Sequence, residues 1–186
     1  MNKSKTIRII GGSLKNSKIR IAEEGIKPTT DRVRVTLFNW LHARIANKRV
    51  LDLFAGSGIL GLEALSRDSE EVIFIERSKK ASMALDQQLA KFQIDNYKNK
   101  QVDAIQFLKQ KNKEARFDII FLDPPYGSYA IHEILSLIVM NNWIVKKGYV
   151  FYESNVPLDL KVVEPLWNIY RKSKAGKVYY YLLCCN

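Results

Sequence analysis

Residues 49–65 read RVLDLFAGSGILGLEAL, and this stretch decides the fold. A buried strand over 49–54 leads into a GxGxxG loop that begins at Gly56, and a helix over 59–67 follows. Glycines let the backbone approach a ligand more closely than a side chain would permit, and a strand, a glycine loop and a helix are the setting in which this motif binds nucleotides. The stretch therefore predicts an α/β fold with a cofactor loop after its first parallel strand.

Strands and helices alternate through the rest of the chain. Further strands are expected over 71–76, 98–102, 117–122 and 149–154, with helices over 79–93, 104–110 and 130–141. Strands that are apolar throughout and separated by helices predict a mostly parallel sheet covered on both faces. Residues 162–185 predict two long antiparallel strands joined by a turn near 174–177, which add a hairpin to the edge of the sheet.

The first residues predict a smaller unit. Residues 6–12 and 18–22 alternate polar and apolar side chains on either side of a turn-forming stretch, which predicts a β-hairpin. Thr30 or Asp31 is then expected to cap a helix over 32–46.

Size and composition limit the classes of protein that fit. The chain has 186 residues, 47% of them apolar, which is enough for one substantial core. No apolar run approaches the roughly 18 residues that span a bilayer, and no signal peptide is visible. Cysteines occur only at the adjacent positions 184–185, and the two histidines lack metal-binding spacing. We expect a cytoplasmic monomer without a metal site or membrane contact.

Positive charge is concentrated near the N-terminus. Of the formal net charge of +11, residues 1–50 carry +9 and residues 51–186 carry +2. A solvated surface is the simplest explanation, but a basic block beside a nearly neutral domain more often marks a surface that binds nucleic acid.

The glycine loop and the next strand suit a cofactor that carries adenosine. Glu76 ends a strand twenty residues after Gly56, where a carboxylate can accept both hydroxyls of a ribose. A phosphate-binding Walker loop is excluded, because the sequence contains no Gly-Lys-Ser or Gly-Lys-Thr. Asp52 precedes the loop, where it can hold an ammonium group. That acid favours S-adenosylmethionine over a dinucleotide, whose pyrophosphate is anionic.

Asp103 supplies the second detail in favour of S-adenosylmethionine. It follows the strand over 98–102, so its carboxylate can accept the adenine amino group while the amide of Ala104 meets the ring. Asp103 is equally suited to cap the helix over 104–110, and the two roles are compatible.

Residues 118–126 read DIIFLDPPY, a strand that delivers Asp123, Pro124, Pro125 and Tyr126 to the rim of the cofactor site. Two prolines alone would end a strand, but this explains neither the acid nor the aromatic residue.

Exocyclic amines of nucleobases are poor nucleophiles, because the nitrogen lone pair is delocalised into the ring. A carboxylate and a backbone carbonyl that accept both N–H bonds pull the nitrogen towards tetrahedral geometry. Stiff prolines hold the acceptors, and a stacked aromatic ring contributes about 1–3 kcal/mol per base.

Several stretches, in the same order and spacing, resemble the bacterial 16S ribosomal RNA guanine-N2 methyltransferases of the RsmD type. These stretches are RIIGG (8–12), KPTTDRVRVTLFNWL (27–41), VLDLFAGSGILGLEALSR (50–67), FIER (74–77) and DIIFLDPPY (118–126). The similarity covers nearly the whole chain, and PTTDRVR is its most specific part. Lys27 and Val35 stand where the family usually has Arg and Glu, which affects the N-terminal RNA contact rather than the reaction.

The resemblance implies a class I S-adenosylmethionine-dependent methyltransferase domain, Rossmann-like, over 31–186, with an RNA-binding β-hairpin extension over 1–30. It implies methyl transfer to the N2 amine of guanine 966 in 16S ribosomal RNA of the assembling small subunit. Asp123 would hold the amine and Tyr126 the base. The cofactor site implied comprises Asp52, Phe54, Gly56, Gly58, Glu76, Arg77, Asp103 and Ala104. The RNA surface implied comprises Arg8, Arg32 and Arg34, the two helical residues being expected off the buried stripe.

Three other functions remain open from the residues alone. A DNA adenine-N6 methyltransferase also fits Asp-Pro-Pro-Tyr, although the short chain has no separate domain to read DNA. A non-catalytic RNA-binding assembly factor fits the basic segment but not the complete Asp-Pro-Pro-Tyr motif. An NAD-dependent reductase fits the glycine loop and leaves Asp-Pro-Pro-Tyr without a role.

Overall fold

The computed structural model describes residues 6–21, 29–125, 127, 129–163 and 166–186. Within them the strands are β1 (Thr6–Arg8), β2 (Lys18–Arg20), β3 (Arg49–Asp52), β4 (Glu71–Ile75), β5 (Tyr97–Lys100), β6 (Phe117–Leu122), β7 (Ile144–Ser154), β8 (Trp167–Ala175) and β9 (Val178–Cys185). The helices are α1 (Asp31–Leu41), α2 (Ile59–Leu65), α3 (Lys79–Lys91), α4 (Ala104–Lys109), α5 (Ile131–Met140) and α6 (Leu160–Val163), and a 3-10 turn, His42–Arg44, follows α1.

Seven of the described strands form one sheet in the order β5-β4-β3-β6-β7-β9-β8. Neighbours from β5 to β7 are parallel, and β9 is antiparallel to both β7 and β8. The predicted α/β class, with a mostly parallel sheet and a C-terminal hairpin, is therefore confirmed. The connections change direction between β3 and β6, so the carboxyl ends of these strands open a crevice where α/β sheets bind ligands.

Helices cover both faces of the sheet. On one face α1, α2 and α3 bury side chains such as Leu37, Leu62 and Leu85 against it. On the other face α4 and α5 bury Phe107 and Ile138. Burial on both faces explains why the strands read as continuous apolar runs. Among the described residues, no helix is long and apolar enough to cross a membrane.

The N-terminal hairpin forms as predicted and shares the core of the first face. β1 and β2 pair antiparallel, with Ile7 opposite Ile19. Ile9 and Ile19 are buried in the cluster that contains α1 and α2. The amide of Ile10 donates to Glu63 Oε1 of α2 at 2.8 Å. The basic hairpin is thus held at a defined place on the sheet.

Several element boundaries differ from the prediction, among them the end of α1 and the start of β7. Thr30 caps α1 as expected, but the helix ends at Leu41 rather than at 46, because the 3-10 turn and Asn47, with φ of 57°, redirect the chain into β3. β7 begins at Ile144, earlier than the predicted 149. Lys147 has φ of 63° beside an irregularity in the β6–β7 register, so this part of the strand reads as a turn in the sequence.

The prediction that Arg34 lies off the buried face of α1 is wrong. Its side chain is fully buried. Nη1 donates to the Arg8 carbonyl at 2.9 Å and pairs with Glu63, while Nη2 pairs with Asp31 at 2.6 Å. The hairpin and α2 cover a second side of α1, so its buried face is wider than the apolar spacing indicates, and Glu63 compensates the buried charge. Arg34 is therefore not part of an exposed RNA surface.

Candidate active site

The crevice beyond β3 and β6 collects most of the residues predicted for the site. β3 and β6 are hydrogen-bonded neighbours, with Asp52 opposite Phe121. Asp52 ends β3, and Asp123 follows β6 directly. Glu76 follows β4 on the other side of β3, so three carboxylates meet at one edge of the sheet.

Glu76 is tied to the glycine loop. Its Oε2 accepts the amide of Gly56 at 2.8 Å, and its Oε1 accepts the amide of Ser78 at 2.7 Å. These two bonds fix the direction of the carboxylate, and each oxygen keeps further acceptor capacity. The side chain is half-buried, so part of it remains accessible from the crevice.

The loop itself needs glycine at two positions. Gly56 and Gly58 have φ of 53° and 73°, in the left-handed region that other residues adopt only with strain. A Cβ on Gly58 would also lie 2.4 Å from Leu85 Cδ1. The loop therefore packs so closely against α3 that a larger residue at Gly58 would clash with it.

Asp52 is the most deeply buried acid of the crevice, at 2% exposure. Its Oδ2 accepts the amide of Gly61 at 2.9 Å, which ties the end of β3 to α2. The pKa of Asp52 is raised to about 7, mainly by burial and also by the charges of Asp123 and Glu76, against the lowering effect of the Gly61 bond. A cation bound here would relieve this repulsion.

The candidate adenine slot lies at the carboxyl end of β5. Asp103 caps α4 as predicted, because its Oδ1 accepts the amides of the second and third residues after it, at 2.9 and 3.1 Å. Its Oδ2 accepts the hydroxyl of Tyr129 at 3.2 Å. The Tyr129 ring lies 5.0 Å from that of Phe54, centroid to centroid. Ala104 is buried at the start of α4, and the exposed Arg77 interacts with the Tyr129 hydroxyl.

Asp123 is half-buried and is held by a residue from the other end of the chain. The hydroxyl of Thr29 donates to Asp123 Oδ2 at 2.7 Å. Thr29 is 3% exposed and stands just before the N-cap of α1. Pro124 is buried behind the carboxylate and Pro125 is exposed at the rim. The loop therefore presents an oriented carboxylate beside the acids of the crevice.

The remaining predicted residues fall into two groups. Arg8 and Arg32 are exposed, on β1 and on the first turn of α1, so both are accessible to a polyanion. Tyr126 and Lys27 lie outside the described residues. Across the described ranges, no group of three or more His, Cys, Asp or Glu side chains is arranged to hold a metal ion.

Comparisons with known proteins identify the family of this chain. A protein-family model described as "Conserved hypothetical protein 95" matches residues 7–184. Ribosomal RNA small subunit methyltransferase D of Escherichia coli is 40% identical over 177 residues, which cover 95% of this chain and 88% of the relative. The chain belongs to the ribosomal RNA small subunit methyltransferase D family.

Further members of this methyltransferase family show the same extent of similarity. The relative of the same name from Haemophilus influenzae is 35% identical over 179 residues, 95% of this chain and 92% of the relative. A solved structure titled "Putative methyltransferase yhhF from Escherichia coli" matches with a TM-score of 0.87 at 36% identity, over 98% of this chain and 99% of that one. The chain is thus a methyltransferase of this family, with the family's fold over nearly its whole length.

Two residues of the site were missed by sequence reasoning. Thr29 lies in the PTTDRVR stretch, and the high specificity of this stretch was the one indication that its residues have a function. Nothing in the local sequence shows that the Thr29 hydroxyl reaches a residue 94 positions away. Tyr129 follows the Asp-Pro-Pro-Tyr loop and lies beside Asp103 and Phe54. An aromatic residue so close to that loop was the only hint.

Proposed function

We propose that this chain transfers a methyl group from S-adenosylmethionine to the exocyclic N2 amine of guanine 966 in 16S ribosomal RNA of the assembling small subunit. The observation that carries the proposal is Asp123, oriented by Thr29 beside the acidic crevice at the ends of β3 and β4. The relatives, named ribosomal RNA small subunit methyltransferase D, support ribosomal RNA as the substrate. On this proposal the enzyme works as a monomer in the cytoplasm.

The charge of the crevice supports S-adenosylmethionine as the cofactor. Glu76 would hold the ribose, and Asp103 and the Ala104 amide would hold the adenine edge beside the contacting rings of Phe54 and Tyr129. Asp52 would pair with the ammonium group, while Gly56 and Gly58 leave room for a close backbone approach. The cluster of carboxylates that raises the pKa of Asp52 suits a ligand with two positive centres. When bound, the cofactor supplies an electrophilic methyl group carried on a sulfonium.

The Asp-Pro-Pro-Tyr loop would prepare the nucleophile. Asp123 accepts one N–H bond of the guanine amine, and the backbone carbonyl between Asp123 and Pro124 accepts the other. The lone pair then points out of the ring plane and would form the new bond to the methyl carbon, while the bond from that carbon to sulfur breaks and its electron pair stays on the sulfur, which leaves as a neutral thioether. Once the nitrogen has four substituents it is strongly acidic, so it loses its proton without a strong general base. The work of the protein is mostly positioning.

Thr29 and Tyr126 complete this arrangement. The Thr29 hydroxyl fixes the rotation of the Asp123 carboxylate, so Thr29 is a positioning residue rather than a catalytic one. Tyr126 would stack on the guanine after the base has left its helix or loop. Arg8 and Arg32 would contact RNA phosphates through the extension over 1–30.

The test is methyl transfer in vitro with an Asp123→Ala variant. Small subunits from cells that lack this modification are incubated with radiolabelled S-adenosylmethionine. The wild-type enzyme is expected to label guanine, whereas Asp123→Ala should lose about 100-fold or more in kcat, a loss typical of a polar group that stabilises the transition state. Cofactor affinity should stay close to that of the wild type.

Asp86→Ala is a matched control, because Asp86 is an exposed acid on α3. It should retain full turnover. Labelling of DNA adenine instead of guanine would support the DNA methyltransferase and discard the proposal. Tight RNA binding without turnover, unchanged by cofactor, would support an assembly factor.

A further inference from the structure

Residues 51–186 have a net charge of only +2, but one segment within them is strongly basic. Residues 51–165 hold fourteen Lys or Arg against sixteen Asp or Glu. Residues 166–186 hold four cations and no acid. These cations are Arg171, Lys172, Lys174 and Lys177, all within the seven residues RKSKAGK over 171–177. The basic charge therefore has a second focus, at the turn of the β8–β9 hairpin.

The strand register places this turn at the same edge of the sheet as the Asp-Pro-Pro-Tyr loop. Leu122, the last residue of β6, is level with Tyr152 of β7. Two residues further along β7, Ser154 pairs with Tyr179 of β9, and Tyr179 pairs with Lys174 of β8. The turn after Lys174 thus extends beyond the level at which Asp123 leaves β6. Strands lie about 4.8 Å apart, so β8 lies roughly 14 Å from β6 along this edge.

The four cations are available to a partner. All are exposed, and within the described part of the chain none lies at ion-pair distance from a carboxylate. Lys174 is held in place, because its Nζ lies 2.9 Å from the hydroxyl of the half-buried Tyr179. Lys172 and Lys174 pair with Tyr181 and Tyr179, and therefore stand on one face of the hairpin.

We infer that the hairpin tip, residues 171–177, is a second RNA-binding surface that contacts phosphates flanking the target nucleotide. The inference rests on the proposed function. It follows from charge complementarity to a polyanion and from the shared sheet edge, since RNA that delivers a base to Asp123 must continue along the surface beside it. Together with Arg8 and Arg32, the tip would hold the RNA at two separate points.

The test compares two triple variants of equal charge change. Lys172→Gln, Lys174→Gln and Lys177→Gln neutralise the tip and keep most of each side-chain stem. The control is Lys109→Gln, Lys111→Gln and Lys113→Gln, exposed lysines in the segment before β6, at the opposite edge of the sheet. Both proteins are assayed with small subunits at several salt concentrations, and cofactor affinity is measured as a check on folding.

The tip variant is expected to raise KM for the small subunit several-fold, with kcat and cofactor affinity unchanged. The slope of log affinity against log salt should fall by about 0.7 for each lost single-strand phosphate contact. The control variant should match the wild type. Equal KM and slope for all three proteins, or equal losses in both variants, would overturn the inference. Absence of turnover by the wild-type enzyme would instead count against the proposed function.

A photo-crosslinking residue in place of Lys177 separates RNA from a protein partner. Crosslinks to 16S ribosomal RNA near the methylated guanine support the inference. Crosslinks confined to a ribosomal protein would overturn it in favour of an acidic protein neighbour.

Discussion

Three acids, Asp52, Glu76 and Asp123, meet at the carboxyl edge of the sheet and together set the charge of the crevice. Burial has the largest effect on Asp52, and the other two carboxylates add to it, so that the pKa of Asp52 rises to about 7. Such a site is costly without a ligand and favourable with a cation, because the ionised form of Asp52 then gains a partner. This electrostatic preference distinguishes a sulfonium cofactor from an anionic dinucleotide.

The first prediction concerns pH and cofactor binding. Pairing with the ammonium group requires ionised Asp52, so protonation must compete with the cofactor. The dissociation constant of S-adenosylmethionine should therefore rise as pH falls through about 7, approaching tenfold per pH unit below it. Isothermal titration calorimetry between pH 8.5 and pH 6 measures this. Asp52→Asn should bind more weakly and lose the dependence; an identical pH profile in both proteins would remove Asp52 from the ammonium site.

The second prediction concerns Thr29. Thr29→Val keeps the buried volume but removes the hydroxyl that orients Asp123. We expect kcat to fall about 10- to 100-fold with KM for the small subunit nearly unchanged, because misplaced catalytic groups cost rate rather than binding. Thr29→Ser should restore most of the activity. Thr36→Val is the control, because it removes the hydroxyl of a half-buried threonine of α1 that donates to the Arg32 carbonyl rather than to Asp123. Equal activity of the Val and Ser variants would show that the hydroxyl does not position Asp123.

Among the elements, α2 joins the glycine loop to the N-terminal hairpin. Glu63 of α2 is fully buried and pairs with Arg34 of α1 and with Arg67. It also accepts the amide of Ile10 after β1. A single carboxylate thus connects α2, α1 and the hairpin, so the basic surface and the catalytic crevice are held in a fixed relation.

The third prediction follows from this connection. Glu63→Ala leaves the buried guanidinium of Arg34 without its main partner, and removal of one member of a buried pair typically costs about 3–5 kcal/mol. The free energy of unfolding from urea titration should fall by this amount. Glu70→Ala, at an exposed acid nearby, should change it by less than about 0.5 kcal/mol. A loss below about 1 kcal/mol for Glu63→Ala would contradict the role assigned to Glu63.

At the scale of elements, local signals were sufficient for most of the fold. The glycine loop between β3 and α2, the apolar β6 and the Thr30 cap each depend on residues close in sequence, and all were predicted. The buried Arg34 was not, because its environment is created by Glu63 and by the hairpin, which are distant in sequence. The start of β7 was missed because Lys147 and Gly148 read as a turn.

For the molecule as a whole, the sheet brings together groups that the sequence keeps apart. Thr29 and Asp123 are 94 positions apart, so the sequence does not show their contact. The place of the β8–β9 turn at the same edge of the sheet as the Asp-Pro-Pro-Tyr loop follows only from the strand order. The net charges of residues 1–50 and 51–186 indicated one basic region, near the N-terminus. The fold adds a second one, the hairpin tip over 171–177, at the edge of the sheet that holds the site. That Asp52, Glu76 and Asp123 lie close together was predictable, because each of them ends or directly follows a strand and the carboxyl ends of parallel strands meet at one edge of the sheet.

Guanine methylation in ribosomal RNA is the central claim, and it is tested most directly by mapping modified nucleotides in 16S ribosomal RNA. RNA is taken from cells that lack this chain and are complemented with either the wild-type chain or the Asp123→Ala variant, and the digested fragments are analysed by mass spectrometry. The account predicts N2-methylguanosine at position 966 with the wild-type chain and unmodified guanosine at that position with Asp123→Ala. Full methylation by Asp123→Ala, or no difference at that nucleotide between complemented and deficient cells, would contradict it.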